Sequence, residues 1–269
     1  MKLGYIDYLN CYPFYFHMLN KQPVDRVEII PGYPSTLNRM MSSGTLDMSP
    51  VSSATCADIA EDVLILPDFC LSSVGYVSSV VLFSNVPIDD LDNRNVALTN
   101  ASHTSVVLLK ILLANYYNVT PEFVPTEPMP VLDNVDAALV IGNEAMTFKA
   151  GSSRFVYDLG ELWLEKTGYP VVFAVFAVRK KAARHYVEEI NNVVSSYHKS
   201  LRYLEEGKRD LYIAAAKRYP AIQKDIKAYY NLLQFEFTDD LKKALSFYFD
   251  KSGELGLTKK VTSLEYLTG

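Results

Sequence analysis

The sequence predicts an α/β chain folded as two lobes with a cleft between them. Three observations lead there. Short β-branched or apolar runs alternate with helical stretches through the first two thirds, as in folds with a largely parallel sheet. Two long apolar runs, VSSVVLFS at 77–84 and PVVFAVFAVRK at 170–180, stand apart as strands buried on both faces. Between them lies a compact segment with strand and helix units of its own, suited to an inserted second lobe.

Taken in order, the first lobe opens with a strand at KLGYI and a helix over 13–20, which Pro13 can open. A strand at VEIIPG, a helix over 35–43 and the runs LDMSPVSS and LILPD follow. The inserted segment supplies NVALTN, a helix from about Thr104, the strand FVPT and the strand in DAALVIGNEA. With the two apolar runs as crossovers, lobe 1 spans 1–84 plus 180–269 and lobe 2 spans 85–179. After 181 the pattern is helical, and Thr238 followed by Asp239 and Asp240 has the form of a helix N-cap with an acidic first turn. The tyrosine-rich patches there read as helix packing.

Composition narrows the function. Hydrophobic residues make up 49% and charged residues 21% of the 269, and a net charge of -5 offers no broad basic surface for nucleic acid. The N-terminus lacks the apolar core of a secretory signal, and no stretch approaches ~20 unbroken apolar residues. The expectation is a soluble, cytoplasmic protein with neither membrane nor nucleic acid as partner, monomeric or paired as a homodimer through its C-terminal helices. Cys11, Cys56 and Cys70 lack CxxC spacing and read as core residues, and the four histidines have no HxxxH or HxH spacing. No GxGxxG, P-loop or GxSxG pattern occurs, so nucleotide cradles and the serine-hydrolase elbow are missing.

What recurs is neutral polar groups at loop ends. Ser102-His103-Thr104-Ser105 stands at a helix start, where hydroxyls and free N–H groups either cap the helix or seat a carboxylate or phosphate. DYLNCYPF places Tyr8 and Asn10 just after the first strand; Asn10 can donate and accept, or merely cap. Ser49, Ser52 and Ser53 lie in LDMSPVSSA, Ser78 and Ser79 in GYVSSVVLFS, and Gly142, Asn143 and Glu144 at the end of an apolar strand. Each of these serines can satisfy its own backbone, and the Gly-Asn-Glu step can be a turn.

Together the blocks GYIDYLNCYPF, GTLDMSPVSSA, LPDFCLSSVGYVSSVVLFS, ALTNASHTS, DAALVIGNEA and YDLGELWLEKTGYPVVFAVFAVR resemble, in order, the chorismate dehydratases of the futalosine route to menaquinone. The resemblance runs from residue 3 to about 180. It implies a fold like that of type II periplasmic binding proteins, and conversion of chorismate to 3-[(1-carboxyvinyl)oxy]benzoate and water without metal or organic cofactor. It further implies that Asn10 orients the departing hydroxyl or the enolpyruvyl group, and that Ser79 faces the cleft opposite Ser52 or Ser53. Ser102, Thr104 and Ser105 would hold one carboxylate, with Tyr8 and Asn143 also at the substrate. With no His or Glu base in evidence, the substrate's own enolpyruvyl carboxylate would take the proton. Two positions depart from the family's pattern: Asp7 stands where serine is frequent, and Asn143 where the family more often has IGD. Competing readings are a receptor for a small carboxylate and the related naphthoate synthase, whose N-terminal block differs.

Overall fold

The chain, described by a computed structural model over residues 1–149 and 153–268, forms two mixed sheets. In chain order the strands are β1 (Lys2–Ile6), β2 (Glu28–Gly32), β3 (Met48–Ser52), β4 (Val63–Ser73), β5 (Val80–Ser84), β6 (Asn95–Thr99), β7 (Glu122–Thr126), β8 (Ala137–Ile141), β9 (Phe155–Asp158), β10 (Val171–Arg179) and β11 (Leu233–Glu236). The α-helices are α1 (Tyr12–Asn20), α2 (Pro34–Ser42), α3 (Ser53–Ile59), α4 (Thr104–Leu112), α5 (Gly142–Thr147), α6 (Leu159–Thr167), α7 (Lys180–His185), α8 (Val187–Glu205), α9 (Arg209–Arg218), α10 (Ile226–Tyr230) and α11 (Asp239–Glu254). None of the described helices is long and apolar enough to cross a membrane.

The first sheet has the order β11-β4-β10-β3-β1-β2 and the second β7-β6-β8-β5-β9. In each, three strands run parallel: β2, β1 and β3 in one, β7, β6 and β8 in the other. The strand that enters from the opposite lobe is antiparallel to them, β10 against β3 and β5 against β8. The sheets are therefore mixed rather than largely parallel, for a topological reason. The parallel strands all point their C-terminal ends at the cleft, so a chain arriving across the cleft must descend against them. The loops after β1, β3, β6 and β8 consequently meet between the lobes.

The lobe boundaries differ from the sequence reading. Val80–Ser84 belongs to the second sheet and Val171–Arg179 to the first, so 84/85 and 179/180 fall beyond strands already seated in the receiving lobe. The chain changes lobes at 74–79 and again between Asp158, where β9 ends, and Val171. An apolar run records that both faces are buried, but not which sheet buries them. The short strand β11 sits in the region read as wholly helical; its four residues alternate buried and exposed over too few positions to mark a period.

The two crossings are fastened by one carboxylate. Asp158, 5% exposed, caps α6 by accepting from the backbone N–H groups of Gly160 (3.0 Å) and Glu161 (3.2 Å). The same carboxylate accepts from Val77 N–H (3.1 Å) and Ser78 N–H (2.6 Å) on the other crossing, where Ser78 holds a φ of +68°. Burial raises the Asp158 pKa while these four donors oppose the shift. Lys224 adds a bond to Ser78 Oγ at 2.8 Å.

Beneath the first sheet, α1 packs on α8 around Phe14, whose ring lies 4.3 Å from that of Phe176. Tyr15 donates to the Gly4 carbonyl at 2.6 Å and accepts from Tyr197 at 2.9 Å, so buried hydroxyls there are paired. Thr238 caps α11 as expected, accepting from Leu241 N–H. Helix α11 packs against β10, α3 and α4, so it braces both lobes rather than lobe 1 alone. Its Tyr248 donates to the Thr104 carbonyl at 3.3 Å.

Replacing Asp158 by Ala leaves four backbone donors on two crossings without their acceptor. Equilibrium urea unfolding should show a loss on the order of 3 kcal/mol. A loss below about 0.5 kcal/mol, the scale of ordinary surface changes, would remove Asp158 from this role.

Candidate active site between the lobes

Between the lobes lies a cavity lined from both sheets. Its walls are mainly apolar, from Ile6, Leu71, Val80, Ile141, Phe173 and Leu233. Its polar lining comes from Tyr8, Asn10, Ser52, Ser79, Ser102, Thr104 and Ser105. The starts of α1 and α4 face it from opposite lobes, with those of α3 and α5 beside them. Helix N-termini carry partial positive charge, which gives this cavity a preference for anions although no Lys or Arg is among its lining residues.

Hydrogen-bond direction separates the serines and threonines that can serve a ligand from those that build the site. The Thr104 hydroxyl donates to the Phe173 carbonyl at 3.0 Å and accepts from Ala54 N–H at 3.2 Å. Its one hydrogen thus ties lobe 2 to lobe 1 and cannot also donate to a carboxylate, contrary to the role expected of it. Ser102 Oγ accepts from Ser105 N–H at 3.2 Å and keeps its own hydrogen. Ser53 is fully buried, donates to the Val172 carbonyl at 2.5 Å and is outside the cavity lining, so the site serine on that edge is Ser52.

Ser52 belongs to a relay. It accepts from Asn38 Nδ2 at 2.9 Å and donates to Thr55 Oγ1 at 3.0 Å, and Thr55 lies 3.0 Å from His103 Nδ1 across the cleft. The Thr55–His103 hydrogen bond thus continues the relay from lobe 1 to lobe 2. Burial lowers the His103 pKa, opposed by Asp58 and assisted by Lys110.

Asn10 sits in the turn between β1 and α1, and its Oδ1 is buried without a protein partner. Tyr8 Oη is in the same condition, with the side chain 4% exposed. The Tyr8 ring separates the cavity from an open vestibule of about 1070 Å³ lined by Asp7, Tyr33, Asn143, Glu144 and Arg218 among others. Gly142 makes room for that ring: its φ is +61°, and a Cβ there would stand 2.5 Å from Tyr8 Cε2. Ser79, 1% exposed, lies in the crossing just before β5 rather than within a strand, and accepts from Tyr229 Oη at 2.9 Å. Tyr229 was hidden in the sequence because a tyrosine in a helical, tyrosine-rich region looks like packing.

Residues 1–254 match the family described as menaquinone biosynthesis. The chain belongs to that family. This member is 34% identical over 196 residues to the chorismate dehydratase of Thermus thermophilus, covering 66% of this chain and 70% of that protein. It is 23% identical over 159 residues to the 1,4-dihydroxy-6-naphtoate synthase of the same organism, covering 59% and 58% of the two chains. Its fold is that of periplasmic binding proteins. The alkanesulfonate-binding protein SsuA of Xanthomonas axonopodis pv. citri, solved bound to MOPS, superposes with a TM-score of 0.71 at 15% identity, covering 97% and 95% of the chains. Escherichia coli SsuA gives 0.68 at 14%, covering 100% and 94%.

Both departures from the family's pattern lie on the vestibule side. Asp7 is held by Arg218, Nε at 3.0 Å and Nη2 at 2.9 Å, and by Tyr219 Oη at 2.8 Å, and is outside the cavity lining. Asn143 accepts from Leu9 N–H at 2.9 Å across the lobes. That role needs only an acceptor oxygen, which Asn and Asp both provide. Asn143 therefore closes the site from outside and is not part of the cavity lining expected of it.

Substituting Gly142 by Ala should push the Tyr8 ring from its seat. Ligand affinity is expected to fall about tenfold or more, measured by calorimetric titration; unchanged affinity would show that Tyr8 yields freely. The neutral His103 ring supports the folded, closed form above pH ~6.5, and this contribution is lost as pH falls through that value towards the lower pKa of the buried ring. Denaturation midpoints should therefore drop more steeply on acidification in the wild type than in His103→Gln.

Proposed function

We propose that this protein is a chorismate dehydratase, a hydro-lyase that forms 3-[(1-carboxyvinyl)oxy]benzoate and water. The observation that carries the reading is an anion-favouring interlobe cavity that has an unpartnered oxygen at Asn10 and no acidic or basic side chain in its lining. Chorismate is a dianion that already contains its base. The similarity to the Thermus thermophilus chorismate dehydratase supports the same choice.

Loss of the C4 hydroxyl and the C3 proton makes the ring aromatic, so the driving force is large and the protein's task is positioning. The Asn10 Oδ1 acceptor takes the hydrogen of the C4 hydroxyl and holds that group where it departs. The Ser102 and Ser105 hydroxyls, at the start of α4, hold one carboxylate, and Thr104 keeps the lobes together behind them. The enolpyruvyl carboxylate removes the C3 proton and passes it to the departing C4 hydroxyl, which leaves as water and regenerates the carboxylate. Burial, and secondarily Glu144, keep the Tyr8 pKa above its ordinary range, so it serves as a hydrogen-bond donor and stays protonated. The closed apolar walls exclude water and strengthen each of these polar contacts.

Purified protein mixed with chorismate should yield the dehydrated product, followed by chromatography with mass detection. Asn10→Ala should lower kcat about a hundredfold or more while KM moves less than about threefold. Thermal stabilisation by chorismate that stays intact would replace the enzyme with a receptor for a small carboxylate.

A further inference from the structure

The cavity-lining Ser79 has a partner from a part of the chain remote in sequence. Ser79 sits where the first crossing enters lobe 2, and its main chain is fixed on both sides. Its carbonyl accepts from Gly142 N–H at 2.7 Å, and the preceding Ser78 N–H is held by Asp158 at 2.6 Å. Its side chain is fixed by Tyr229 of α10, in the C-terminal part of lobe 1, whose hydroxyl donates to Ser79 Oγ at 2.9 Å. Among the described residues, that is the hydrogen bond the Ser79 hydroxyl makes.

A serine hydroxyl has one hydrogen to give. With Tyr229 filling one acceptor direction of Ser79 Oγ, that hydrogen is turned away from the tyrosine and into the space Ser79 shares with Asn10, Tyr8 and Ser52. The Tyr229 ring is itself buried at 3% exposure and packed at a tilt against Tyr230, with ring centroids 6.0 Å apart, so the donor is held in place by packing. Burial raises the Tyr229 pKa far above its ordinary range, with the hydrogen bond to Ser79 acting the other way. The phenol therefore stays a donor across the working pH range.

We propose that Tyr229 is a positioning residue for the dehydration, orienting the Ser79 hydroxyl so that it donates to the substrate oxygen held beside Asn10. The proposal rests on the reading of the protein as a chorismate dehydratase and adds a residue to its machinery. No group is transferred by Tyr229; it acts through Ser79.

The test is a double-mutant cycle with chorismate, using Tyr229→Phe, Ser79→Ala and the double variant, with kcat, KM and thermal midpoint read for each. Tyr229→Phe should lower kcat about tenfold in the wild-type background, with KM changed less than about threefold, and by less than about twofold in the Ser79→Ala background. Equal losses in both backgrounds, or a change confined to the thermal midpoint, would overturn the proposal. Replacement of Tyr229 by 3-fluorotyrosine preserves shape and strengthens the donor; kcat retained within about twofold supports the role, and a loss matching Phe assigns the effect to ring packing. A wild-type protein that binds chorismate without converting it would end the dehydratase reading. The same cycle read on chorismate affinity would then decide the orientation of Ser79, coupling supporting it and additivity overturning it.

Discussion

Everything in this molecule is organised around the carboxylate of Asp158. Two chain crossings join the lobes, and a single buried side chain receives four backbone N–H groups, two from each. A buried charge is tolerated only when its acceptor sites are filled, so the carboxylate and the two crossings define one another. From that fixed point follow the left-handed conformation of Ser78, the placement of Ser79 at the cavity wall and the start of α6. The hinge and the site are one piece of structure.

The closed cleft shows a division of labour between hydroxyls that face a ligand and hydroxyls that hold the walls. Thr104, Ser53 and Ser52 direct their hydrogens at protein acceptors, while Ser79, Ser102 and Asn10 keep capacity for a ligand. Such a site can favour an anion without a lining cation because the helix starts supply distributed positive potential.

Solved structures that share this fold at low identity include alkanesulfonate-binding proteins, so the two-lobed frame is common ground. In this chain small neutral groups at the C-terminal ends of β1 and β6 and on the crossing into β5 line the space between the lobes.

Much of this was legible in the sequence. The strand and helix order, the two lobes, and the polar clusters at Asn10, Ser52, Ser79 and Ser102–Ser105 all follow from local patterns of hydrophobicity and from residue chemistry at strand ends, which depend on near neighbours in the chain. The tertiary structure alone decided which lobe received Val80–Ser84 and Val171–Arg179, which way each hydroxyl points, and that Tyr229 meets Ser79 across 150 residues. Those outcomes depend on pairings between distant segments. A run of apolar residues does not encode its partner sheet, and a serine does not encode the direction of its hydrogen, until the fold brings the acceptors into place.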